Sequence, residues 1–259
     1  MSDPFAHVAG LPGVREAVAE ARESVDRLLG HRILRRRAPE VSAESALRGA
    51  RASASLEGSP APLEEVRSGE VTDPVVQGAL RVSAALGSLV GPWRNAPRQV
   101  LARLHVLAAS PGGDEVGRPR AGSVAADPLD LGSPPPPATV AARLSALSDL
   151  LTSPTSAPAV VVAAVTQGEL LALRPFGEAD GIVARAAVRL TLIDRGLDPK
   201  SLVAPEVGHL ELHSAYRSAM LAYLSGTPEG VAEWVRHCAE ALVLGARDAL
   251  AVCEAFTRI

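Results

Sequence analysis

Apolar residues recur at helical spacing along nearly the whole chain. Leu11 to Leu29 is amphipathic, with Pro12 near its start and Gly30 at its end, the asymmetry expected of helix termini. Ser42 is a candidate N-cap for a second helix that Gly58 and Pro60 close. Further helices are predicted over Pro74–Val90, Pro97–Ala109, Ala138–Leu151, Ala157–Leu173, Glu178–Arg195, Pro205–Leu224 and Pro228–Leu244. The last of these can continue to Phe256, because Gly245 is the only break signal. No window alternates with period two for long, and Val116–Val124 is the one place for a short hairpin. Pro111 to Pro137 is dense in Gly, Pro, Asp and Ser. It reads as a long loop within one domain. The expected fold class is all-α, with a short β-hairpin flap allowed in that loop.

Composition narrows the function classes. With 47% apolar and 21% charged residues, the 259-residue chain is an ordinary globular one with a sizeable core. A net charge of −3 gives no global basic field for nucleic acid or anionic membrane. Seven aromatic residues are too few for a base-stacking platform. Cys238 and Cys253 are no disulfide framework, and the start of the chain, MSDPFAHVAG, has no signal-peptide pattern. The longest apolar stretch, Ala157–Val165, is too short to span a bilayer. The expectation is a cytoplasmic protein that binds neither nucleic acid nor membrane.

Most motif classes are missing: no dinucleotide fingerprint, Walker A, nucleophile elbow or HExxH occurs. His209 and His213 in HLELH would share a helix face, but two ligands are too few for a metal. Arg32, Arg35, Arg36 and Arg37 read as a solvated helix end.

One segment carries more information: Leu173-Arg174-Pro175-Phe176-Gly177-Glu178-Ala179-Asp180-Gly181-Ile182-Val183-Ala184-Arg185. A Pro-Phe pair leads into a glycine-containing loop and then a helix, an arrangement that can cradle an anion on backbone donors. A helix starting near Glu178 would put Glu178, Ile182 and Arg185 on one face.

This segment resembles a degraded form of the Fic-family motif, HPFx(D/E)GNGRxxR. Pro175, Phe176, Glu178, Gly181 and Arg185 match it, whereas Arg174 replaces the histidine, Ala179 the first glycine, Asp180 the asparagine and Ile182 the first arginine. Upstream, Ser53, Glu57 and Gly58 fit the inhibitory motif (S/T)xxxE(G/N) of many Fic proteins. Between the two lie Leu104-His105 and Gly117-Arg118-Pro119-Arg120, as in the family pattern.

The resemblance implies a Fic/Fido core over residues 71–259, preceded by an N-terminal helical region (1–70) that carries the inhibitory helix. It implies ATP or another nucleotide with magnesium on Glu178, phosphates held by Arg174, Gly177, Ala179, Asp180, Gly181 and Arg185, and an inhibitory pair between Glu57 and Arg185. That pair is expected to be partly exposed and to add little stability. A target protein would dock near the 112–133 flap, through Arg120 and strand addition, and a homodimer is allowed. The family's base is a histidine, and Arg174 cannot replace it because a guanidinium stays protonated. Conventional AMP transfer is therefore not expected. The readings are a pseudoenzyme that binds nucleotide or phosphate at the Arg174–Arg185 loop, an atypical nucleotidyl- or phosphotransferase autoinhibited by Glu57, or a helical interaction protein without ligand. In the first, Arg174 takes over from the missing clamp and holds the anion together with Arg185.

Overall fold

The computed structural model describes residues 3–109 and 115–258. Twelve α-helices, and no strands, form among these residues. They are α1 (Pro4–Ala9), α2 (Val14–Leu29), α3 (Leu34–Leu56), α4 (Leu63–Ser68), α5 (Pro74–Asn95), α6 (Pro97–Ala108), α7 (Pro137–Thr152), α8 (Ala159–Leu173), α9 (Asp180–Asp194), α10 (Pro205–Glu211), α11 (His213–Leu224) and α12 (Pro228–Thr257).

The antiparallel pair α8–α9 is the centre of the fold. Both helices are apolar on nearly every side and buried from Val160 to Leu173 and from Asp180 to Leu192 almost without interruption. A helix of that kind needs neighbours all round. α3, α5 and α6 pack against α9, while α1, α2, α11 and α12 cover α8. The functional segment is the turn between the two central helices, so the core fixes both of its ends.

Several boundaries differ from the expected ones for local reasons. α3 starts at Leu34 and kinks at Arg37 (φ −126°, ψ 27°), two residues before Pro39. Ser42 therefore lies inside the helix, where its hydroxyl faces the Ser201 carbonyl, and caps nothing. The expected helix over Pro205–Leu224 breaks at Leu212 into α10 and α11. α12 runs unbroken through Gly245, where a Cβ would press on the Ala204 carbonyl. The short helices α1 and α4 carry too few turns for a periodic signal. Val116–Val124 is irregular, and of the Pro111–Pro137 loop, residues 111–114 lie outside the described residues. No described helix is long and apolar enough to cross a membrane.

α5 is anchored at its start by Asp73, whose carboxylate accepts from the backbone N–H groups of Val75 (2.8 Å) and Val76 (3.1 Å). Asp73→Ala removes this cap, and the expected loss is ~1 kcal/mol of unfolding free energy by urea titration.

Candidate functional site

The turn between α8 and α9 is built from left-handed residues. Arg174 ends α8 at φ 43°, Gly177 sits at φ 87°, and Ala179 at φ 54° leads into α9. Gly177 adopts this geometry freely, whereas a side chain there costs ~1 kcal/mol. α9 begins at Asp180, not Glu178. Glu178 consequently lies outside the helix and is exposed, while Ile182 and Arg185 are buried, so the three do not share a face.

Asp180 folds back on its own loop. Its carboxylate accepts from the backbone N–H groups of Phe176 (2.9 Å) and Gly177 (2.8 Å). Burial raises its pKa to about 7, against those two hydrogen bonds, which favour the ionised form.

Arg185 is pinned from α3. It is 2% exposed. Its Nε donates to the Ser53 hydroxyl (2.9 Å), and its Nη2 donates to the Ser53 carbonyl (3.0 Å) and Glu57 Oε1 (2.7 Å). Burial works to lower the Arg185 pKa, but the Glu57 charge and the Glu57 and Tyr216 contacts carry it upward. Gly181 makes the pair fit, because a Cβ there would collide with Glu57 Oε1. Gly58, at φ 90°, ends α3 directly after Glu57 and fixes where that carboxylate stands. The side chains of Arg185 and Glu57 are only 2% and 9% exposed. The pair is thus buried, which corrects the expectation of a partly exposed, energetically minor contact. Removing one partner of such a pair leaves a buried charge unmatched, at a cost of several kcal/mol.

Arg174 is also engaged. Only 4% exposed, it donates from Nη2 to the Gly132 carbonyl (2.5 Å), and its Nη1 lies 3.2 Å from Asp127 Oδ1. Asp127 in turn accepts from the N–H groups of Leu131 and Gly132. Arg174 is therefore bound into the 127–132 turn by groups of this chain, a geometry that works against the expected joint hold on an anion with Arg185.

The described part of the flap is stapled to the turn. The Arg120 guanidinium donates to the carbonyls of Gly122 (2.6 Å), Pro135 (2.6 Å), Leu173 (3.2 Å) and Arg174 (2.8 Å). Backbone bonds from Arg120 to Pro175 (2.8 Å) and from Ala126 to Gly177 (2.7 Å) complete the attachment. The Arg120 side chain thus holds the loop to α8, which is a different task from docking a target. Its two partners at the end of α8 lie more than fifty residues away, and no local pattern announces them. Asp127 is the residue packed against the turn that the motif reading missed, with only the Asp127-Pro128 step as a turn signal, whereas Arg120 was singled out but for docking a target.

Glu57, Asp127, Glu178, Ala179 and Ile182 line a cleft of about 380 Å³ beside this turn. Three carboxylates face it, and Ile182 gives it an apolar wall. His105 stacks on Phe176 at 4.4 Å and accepts at Nδ1 from the Gly117 N–H (2.9 Å). Burial lowers the His105 pKa, against the influence of Glu178.

His209 and His213 do not share a helix face. His209 is buried in α10, whereas His213 opens α11 and is exposed. His209 instead belongs to a polar layer behind Arg185: Gln167 lies 3.1 Å from both His209 Nε2 and the Tyr216 hydroxyl, and His209 Nδ1 lies 3.1 Å from His237 Nε2. Burial drives the His209 pKa well down and brings that of His237 to about 4, so this layer is neutral at pH 7. No group of three or more potential metal ligands occurs among the described residues. Arg32, Arg35 and Arg36 are exposed, and Arg37 covers the Phe256 ring at 5.7 Å.

Three solved structures that share this fold are Fic proteins. A Fic family protein from Desulfovibrio desulfuricans G20 superposes with a TM-score of 0.77 at 21% identity, over 93% of this chain and 75% of that one. A fragment of Fic-1 from C. elegans gives 0.72 at 17% identity, over 93% of this chain and 73% of its own. The same fragment with one glutamate replaced by glycine gives 0.69 at 18%, with the same coverage. The chain therefore has the helical Fic (Fido) fold. No family model and no curated protein matches the sequence.

The pKa of Asp180 gives a pH prediction with a definite sign. A carboxyl raised from 3.8 to about 7 keeps a proton in the folded state that the unfolded chain releases. The stability it contributes is fully present below pH 3.8 and is lost as the pH rises to about 7. His237 acts in the opposite sense below its ordinary value of 6.5, so the comparison with Asp180→Asn isolates the carboxyl. In urea titrations, wild type minus Asp180→Asn should fall by about 4 kcal/mol across that span and stay flat above it. A difference that does not change with pH would contradict this environment for Asp180.

Proposed function

We propose that this protein is a Fic-fold pseudoenzyme whose phosphate-binding turn is occupied by its own side chains. The observation that carries the proposal is Arg174: at the position of the family's general base it is a permanent cation, buried and paired with Asp127. A positioned base is worth ~10²–10⁴ in rate, and a guanidinium cannot supply one.

The residues around the turn do not fit a bound magnesium nucleotide in this conformation. Arg185 is taken by Glu57, Ile182 offers no donor, and three carboxylates line the cleft where phosphates would lie. Magnesium usually takes one or two carboxylates and completes its shell with phosphate and water. Glu178 would therefore serve only with a nucleotide already in place. In this reading the protein acts by holding a partner, through surfaces that the motif does not define.

A second reading rests on the buried Glu57–Arg185 pair. Glu57 fills space that only a glycine at 181 leaves open. Its removal would free one guanidinium edge toward the cleft, which suits an atypical transferase held shut by Glu57.

Calorimetric titration of ATP and GTP with magnesium, into wild type and Glu57→Gly, separates the readings when paired with a radiolabel-transfer assay in cell extract. The pseudoenzyme reading predicts no binding to wild type and no label transfer by either protein. Binding confined to Glu57→Gly would show a gated phosphate site. Transfer that depends on Glu178 would overturn the pseudoenzyme reading in favour of the autoinhibited transferase.

A further inference from the structure

A second and larger cleft, of about 500 Å³, is lined in part by Phe176, which does not line the acid-lined one. Its floor is apolar: Leu101 and Ala102 of α6, Leu144 of α7 and the Phe176 ring. That volume and mostly apolar lining are those of a small-molecule site, not of a packing defect. Among the described residues that line it, none is acidic, although the chain carries 29 Asp and Glu against 26 Lys and Arg. The acid-lined cleft is the opposite in character.

The charge in the larger cleft sits at one end. Arg98 lines it there and, among the described residues, has no carboxylate within ion-pair distance. Arg98 belongs to the first turn of α6, whose N-cap, Ala96, has no side-chain acceptor for the turn's amides. Gln99 adds a neutral polar group at the same end. From Ala96 to Ala102 the wall extends about 9 Å along α6, enough for a short alkyl chain. An apolar trough closed by one cation matches a molecule with an apolar tail and one anionic head.

We infer that this cleft binds an aliphatic carboxylate, with the chain along Leu101, Ala102, Leu144 and Phe176 and the carboxylate on Arg98. Because Phe176 belongs to the α8–α9 turn and stacks on His105, an occupant would touch the wall that backs the functional segment. The inference does not depend on nucleotide binding or on any transfer activity.

Octanoate is the probe, with octanol as the apolar control, titrated by calorimetry into the full chain while methyl NMR follows Leu101 and Leu144. Octanoate should bind and shift both leucines. Octanol and the exposed-site variant Arg98→Glu should each weaken binding by about ten-fold or more, the equivalent of one lost charge contact. Ala102→Trp, which fills the trough, should abolish binding; circular dichroism checks that the variant is folded. No saturable binding would overturn the inference, and so would an affinity that neither substitution changes. Equal affinity for octanol and octanoate would overturn its anionic part, and shifts away from Leu101 and Leu144 would overturn its location.

Discussion

The buried ion pair between Arg185 on α9 and Glu57 at the end of α3 is the interaction on which the site depends. Arg185 is 2% exposed, and an unmatched cation buried there would be costly. Glu57 supplies the opposite charge, and Ser53 supplies two acceptors one helical turn earlier. Gly181 leaves the room, and Gly58 ends α3 so that Glu57 stands in it. The N-terminal helices are thus tied to the central hairpin by electrostatics as well as by packing.

The same principle governs the rest of the turn. Most of the charges at the turn are matched from within the chain: Arg185 by Glu57, Arg174 by Asp127, and the Asp180 carboxyl by the amides of Phe176 and Gly177, while Glu178 is exposed. Arg120 then ties the loop to carbonyls at the end of α8. In a transferase such groups would be held ready for substrate, since catalysis requires donors aimed at developing charge. Here Arg185 and Asp180 are satisfied before any ligand arrives, whereas Arg174, although close to Asp127, keeps its Nε and Nη1 without a hydrogen-bond partner. The commitment of Arg185 to Glu57 is what favours a scaffold over a catalyst.

Much of this was legible in the sequence because it is local. The helical class follows from the apolar period, and the loop between two helices at residues 174–179 from the Pro-Phe-Gly step, although the packing of those helices as the centre of the fold was not read. The Fic-like motif placed Arg174 to Arg185 at that turn, and the i, i+4 spacing of Ser53 and Glu57 put both on one face of α3, where both meet Arg185. What could not be read was set by distant partners. The burial of the ion pair depends on α3 packing against α9, and the roles of Arg120 and Asp127 depend on carbonyls and a guanidinium contributed by other segments. The start of α9 at Asp180 instead of Glu178 depends on Ala179 taking a left-handed conformation, which a non-glycine residue does not announce.

The most direct test of this account is a double-mutant cycle between Glu57 and Arg185, read by urea unfolding of wild type, Glu57→Gln, Arg185→Met and the double variant. A buried pair that ties α3 to α9 should give a coupling of about 2 kcal/mol or more. A coupling below about 0.5 kcal/mol, the level of independent sites, would mean that the two residues do not hold the site together.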